Sequence, residues 1–176
     1  MKGAYYALRR GVKGRKTGVV HDVIPIRNLN VTISGAGAAV YFGTAVIAGL
    51  PAGNITFLSA LMYLQGSSTD TDLTTTYNVT CAVGTTATAD NNLASPTTDS
   101  DIIPALAAGA ATERVTPIQR FPHTAANVGV QLDNTAGDLE LNLNCTVPDA
   151  DITNDQSAII TFNGNLHLTY VLAGDD

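Results

Sequence analysis

Tryptophan is absent from this 176-residue chain, cysteine occurs twice, histidine three times, and charged side chains make up only 14% of the residues. Each shortage excludes something. Cys81 and Cys145 are too few and too far apart for a disulfide framework or a zinc site, and they read as small core residues. His21, His123 and His167 have no motif neighbours among the many Ser and Thr, so nothing in the spacing asks for an enzyme. No formal charge occurs from Asn28 to Thr69, yet Gly43, Gly49, Pro51, Gly53 and Asn54 divide that stretch into pieces too short for a membrane-spanning helix of about 20 residues. No acid precedes Asp22.

What is present points to strands. Apolar residues reach 45%, which excludes disorder across the chain, and the abundant Thr and Val with scattered Gly favour strands and turns. Leu139, Leu141, Leu143, Cys145 and Val147 alternate with Glu140, Asn142, Asn144 and Thr146, predicting a strand with an apolar face inward and a polar face outward. The same period returns at Leu166, Leu168, Tyr170 and Leu172. Asn163-Gly164 separates that run from Ala158–Phe162 with the dipeptide that type I′ hairpins favour, predicting a two-stranded hairpin. Further strands are expected over Leu29–Ser34, Ala38–Phe42, Thr44–Ala48, Ile55–Leu64 and Thr74–Val83. Residues 84–126 read as a long excursion with one short helix near Ile102–Ala108. Seven to nine short strands with one long connection predict an all-β, jelly-roll or Greek-key β-sandwich.

Charge is divided along the chain. Lys2, Arg9, Arg10, Lys13, Arg15 and Lys16 fall in the first sixteen positions, whereas beyond residue 69 only Arg114 and Arg120 oppose fourteen acids. The expected organisation is an extended basic N-terminal arm at 1–28 and a β-sandwich domain at 29–176. Arginines, lysines and glycines interrupt every apolar stretch of the arm, so it does not read as a secretory signal. Clustered cations of this kind either bind acidic protein surfaces or phosphates, or form a frayed, solvated terminus. Nucleic acid is the less favoured partner, because the acidic body repels a duplex over most of its surface.

The remaining motifs fail on context. Gly35-Ala-Gly37-Ala-Ala-Val40 imitates a dinucleotide fingerprint but lacks the third small position, a following helix and an acid about 20 residues on, so no cofactor is implied. Asp149, Asp151 and Asp155 offer oxygen ligands, but the glycine and terminal glutamate of a calcium loop are missing, and turn formation is the favoured reading over a metal site. Four Asn-X-Ser/Thr matches, at Asn30, Asn54, Asn78 and Asn144, reflect the abundance of Asn and Thr.

The order of short segments carries a resemblance. Gly84-Thr-Thr-Ala-Thr-Ala-Asp90-Asn-Asn-Leu93, Asp99-Ser-Asp101-Ile-Ile-Pro104, Val147-Pro-Asp149-Ala-Asp151-Ile, and Phe162-Asn-Gly164-Asn-Leu-His-Leu-Thr-Tyr170 through Gly174-Asp175-Asp176 together resemble the capsid decoration, or cement, proteins of tailed bacteriophages. The resemblance spans about residues 29–176. It implies a jelly-roll body, a place on the outer capsid surface of the virion after assembly in the host cytoplasm, a major capsid protein as partner, and a homotrimer. The expected function is a structural one, bridging capsid subunits, with Lys2, Arg9, Arg10, Lys13, Arg15 and Lys16 as the capsid-anchoring arm. The alternative is a carbohydrate or receptor-binding sandwich, against which the missing Trp and the total of ten aromatic residues both count.

Overall fold

Alternating burial along the strands gives this chain two apolar sheet faces, and they pack against each other. The computed structural model describes residues 6–7, 17–35, 40–87, 93, 98–124, 127–153 and 157–173. The strands are β1 (Tyr6–Ala7), β2 (Thr17–Ile33), β3 (Val40–Gly49), β4 (Gly53–Ser67), β5 (Thr80–Gly84), β6 (Ile103–Ala107), β7 (Gln119–Pro122), β8 (Gln131–Asn134), β9 (Glu140–Pro148) and β10 (Ala158–Ala173). One sheet runs β2-β10-β4-β7, with β8 also on β4, and the other runs β1-β3-β9-β5-β6. Without the added strands β1 and β8, the order β2-β10-β4-β7 facing β3-β9-β5-β6 is that of an eight-stranded jelly roll. The sandwich core is filled by Ile24, Phe57, Met62, Phe121, Phe162, Leu166 and Tyr170 from one sheet and Tyr41, Val83, Leu141, Leu143 and Val147 from the other.

Position 28 falls inside a strand. Residues 17–28, which charge alone groups with the terminus, form the first part of β2 and pair with β10 from Thr17↔Ala173 to Ile26↔Gly164. The register shifts there because Arg27 and Asn28 together oppose Asn163, and Asn28 adopts φ 49. The Asn163 side chain holds this bulge by accepting the Asn28 N–H at 2.9 Å.

The predicted hairpin at Asn163-Gly164 is not formed. β10 continues for 16 residues, with Asn163 opposite Gln65 and Gly164 opposite Leu64 of β4. Glycine stands at 164 because β4 comes close: a Cβ there would sit far inside van der Waals contact distance of the Tyr63 carbonyl oxygen. The dipeptide marks a tight backbone approach beside a bulge rather than a turn. The predicted strands at Ala38–Phe42 and Thr44–Ala48 are likewise one strand, β3, within the described residues. Only Thr80–Gly84 of the expected Thr74–Val83 is a strand.

The expected helix near Ile102–Ala108 is also a strand, β6, paired antiparallel to β5 with Thr80 opposite Ala107. Ile103 at its start and Ile102 just before it are fully buried, and Pro104 is tolerated because β6 lies at the end of its sheet. Alternation at Leu139–Val147 does give β9, but its polar side is not solvated: Asn142, Asn144 and Thr146 are buried along with the apolar row. The excursion explains this. Asn144 Nδ2 donates to the backbone carbonyls of Thr86 (2.8 Å) and Asp99 (2.7 Å), so these two residues of the excursion lie over β9.

Two outcomes test this packing. Gly164→Ala forces β10 away from β4 and is expected to cost about 1–3 kcal/mol in chemical denaturation. Burial pushes the Tyr77 phenol up to about 12, with the Cys81 and Cys145 thiols adding to the effect. The folded state therefore holds the proton that the unfolded chain releases near pH 10, and stability is expected to fall as pH rises from about 10 to about 12. Absorbance titration of tyrosinate beside circular dichroism measures both events.

Candidate binding surface

The described residues bring together no catalytic set. His123 Nδ1 lies 3.2 Å from the Ala60 backbone nitrogen and 3.0 Å from its carbonyl oxygen, which ties the chain after β7 to β4. His21 Nδ1 lies 3.0 Å from Thr169 Oγ1 across the β2–β10 pair. Asp151 shapes a turn: its carboxylate accepts from the Asn78 backbone N–H at 2.7 Å and from Asn78 Nδ2 at 3.2 Å. Asp149 shares a 3-10 turn with it, and Asp155 lies outside the described residues. Among the described residues no three His, Cys, Asp or Glu side chains group as a metal site, and no helix is long and apolar enough to cross a membrane.

Lys2, Arg9, Arg10, Lys13, Arg15 and Lys16 all lie outside the described residues. In sequence, Arg9 to Lys16 fall between β1, which pairs in parallel with the edge of β3 through Tyr6↔Ala48 and Ala7↔Gly49, and Thr17, which opens β2 in the other sheet.

The two cysteines are opposite one another on β5 and β9, with their sulfurs 3.5 Å apart. Both are fully buried, and burial pushes the Cys145 thiol up, which disfavours the reactive thiolate. Their role is packing. Asp101 is another half-buried group: burial raises its carboxyl, partly offset by the Thr85 hydroxyl and N–H it accepts at 2.8 and 3.0 Å. That carboxylate anchors the start of the excursion to its end.

The open surface is the outer face of β2-β10-β4-β7. Direct cross-strand neighbours point to the same side of a sheet, so the register defines its rows. Val23, His167, Leu61 and Pro122 form one row, and Pro25, Asn165, Tyr63 and Arg120 the next. His21, Thr169 and Ser59 form a third, then Val19, Val171 and Thr56. Val19 is 68% exposed and Val23 51%. The His167 ring lies 6.2 Å from both the His21 and Tyr63 rings. Asp22, on the opposite side of β2, is taken up by the Tyr170 hydroxyl, which donates to it at 2.8 Å. Carboxylates are missing from these rows; Asp133 on β8 stands at the corner, in a polar depression of about 450 Å³ shared with Asn54, Thr56 and Gln131. Sequence reasoning passed over this face, although Val19, His21, Val23, Pro25 and Arg27 recur at every second position.

No family model and no curated protein matches the chain. Among solved structures, it is similar to a chain of infectious bursal disease virus, Gt strain, at TM-score 0.37 and 10% identity over 90% of this chain and 33% of that one. The Gx strain gives TM-score 0.38 and 11% identity over 92% and 33%. A chain in the capsid asymmetric unit of cyanophage Pam1 gives TM-score 0.35 and 18% identity over 94% of this chain and 92% of that one. The chain thus spans about a third of the length of the bursal disease virus chains it matches.

Asn144 is the brace whose removal exposes the difference between the two outer faces. Asn144→Ala removes the hydrogen bonds to the Thr86 and Asp99 carbonyls, with an expected cost of about 1–3 kcal/mol. Limited proteolysis should then cut within residues 85–101 while the β2–β10–β4 side stays resistant.

Proposed function

We propose that this chain is a structural virion protein that binds the outer surface of a phage capsid and stabilises it by bridging capsid subunits. The observation that carries this reading is the division of charge: six cations precede Thr17, while the jelly-roll body is strongly acidic and groups no catalytic or metal-ligating side chains among its described residues. A basic segment on an acidic body suits attachment to another protein through electrostatic contacts. Jelly rolls also serve as capsid and lectin domains, so the fold permits the role without requiring it.

The physical logic is preferential binding. A protein that binds only the expanded shell stabilises that state by mass action, and a trimer engaging repeated capsid subunits multiplies modest contacts through effective concentration. The major capsid protein is the proposed partner, and the arm, with Lys2, Arg9, Arg10, Lys13, Arg15 and Lys16, is the proposed anchor. Strand addition offers it a route, as the pairing of Tyr6–Ala7 with the edge of β3 illustrates within the chain. The sugar-binding alternative gains little: Tyr63 is the one large aromatic side chain exposed among the described residues.

Deleting residues 1–16 stops short of β2 and is expected to leave the β body folded while removing at least nine-tenths of the chain bound to particles, on the order of the loss that several charge-assisted contacts imply. Co-sedimentation with particles, with circular dichroism of the truncated chain, measures it. Undiminished attachment of the truncated chain removes the anchor role, and absence of the full chain from particles removes the structural virion role.

A further inference from the structure

We infer that the outer face of β2-β10-β4-β7 is a second docking surface, and that its occupant is an acidic protein surface with apolar side chains among its carboxylates. This rests on the proposed structural role and deepens it, since the partner there is a protein shell. Three observations meet on the face. It is rich in exposed apolar side chains: Val19 is 68% exposed, Val23 51%, Ile159 43% and Tyr63 39%. It carries positive charge on a protein of net charge −6, because Arg27 and Arg120 are two of the three cations among the described residues and both are exposed here. Its four strands bear no outward carboxylate; Asp133 on β8 and Asp70, whose carboxylate accepts the Ile159 N–H at 3.0 Å, stand at its margins. Arginine and tyrosine with few acids is the composition of interface cores.

Charge complementarity selects the occupant. A surface of opposite sign satisfies Arg27 and Arg120 while apolar groups cover Val19 and Val23. Nucleic acid fits less well, since its affinity comes from many phosphate contacts and this face offers two arginines. On the other sheet, Thr86 and Asp99 lie over β9, held by Asn144.

Size limits what the face supplies. Four strands about 4.8 Å apart and the eight residue steps from Val19 to Arg27 at about 3.3 Å each make a planar footprint of roughly 400 Å². A standard interface takes about 800 Å² from each partner, so the face alone supplies about half of one.

The test uses the full chain and, as probe, a random copolymer of glutamate, alanine and tyrosine, followed by fluorescence anisotropy. Expected are salt-sensitive binding of the copolymer, binding at least about tenfold weaker in Val23→Glu and in Val19→Glu, and unchanged binding in Ala107→Glu, which adds the same charge to the exposed end of β6 on the opposite sheet. Both tested valines are exposed, and thermal unfolding of each variant checks that the fold persists. The inference is overturned by any of three results: no copolymer binding, valine variants that bind as the parent does, or tighter binding to a 20-base-pair DNA duplex than to the copolymer. Valine variants without effect, beside an arm deletion that releases the chain from particles, sink the face and leave the structural role standing. Weakened copolymer binding by a chain absent from particles does the reverse.

Discussion

The central strand β10 makes the rest of the structure possible. It hydrogen-bonds to β2 on one side and β4 on the other along nearly its whole length, and its inward row of Ala158, Ile160, Phe162, Leu166, Leu168 and Tyr170 is buried against the second sheet. Strands this long twist, and two neighbours of fixed register cannot both follow a twisted ribbon without local adjustment. The adjustments are visible as a bulge in β2 at Arg27 and Asn28 and another in β4 at Leu58, where the register slips between Thr169 and Tyr170. Gly164 permits the closest approach between β10 and β4.

The two sheets end up with different outsides. Over β9 the excursion is pinned by buried side-chain amides: Asn144 holds Thr86 and Asp99, and Asn127 donates to the carbonyls of Ser100 and Asp101 at 3.1 and 2.9 Å. Asn134 does similar work at another crossing, donating to Leu50 and Pro51 and accepting from the Leu139 N–H. An amide buried without such partners costs on the order of 1–3 kcal/mol, so these contacts fix where the loops lie. Among the described residues, none is held over the face of β2-β10-β4-β7 in this way. This face keeps its valines, histidines and arginines in the open, which is why the proposed docking role falls to that side.

The alternation at Leu139–Val147 and Leu166–Leu172 made strands legible, because a period of two places every second side chain on the core. Strand length was not legible in the same way. Each bulge shifts the alternation by one residue, so β2, β3 and β4 read as shorter runs than they are. Pro104 and the alanines around it looked helical because local composition does not reveal that β5 lies alongside. Of the candidate site, charge exposed the basic terminus. The outer face stayed hidden: Val23, His167, Leu61 and Pro122 come from four strands spread over almost 150 residues, and only the register puts them in one row.

By itself, the sequence determined that this protein is built of strands, that its body is acidic, and that its cations gather before Thr17. Composition and period are local properties, carried by the residues themselves. Tertiary structure alone decided that Asn163-Gly164 continues a strand, that the polar row of β9 is buried, and that one sheet face stays open among the described residues. Those outcomes depend on which distant backbone comes to lie against each residue, and a period of two says that a strand has two faces without saying what covers either.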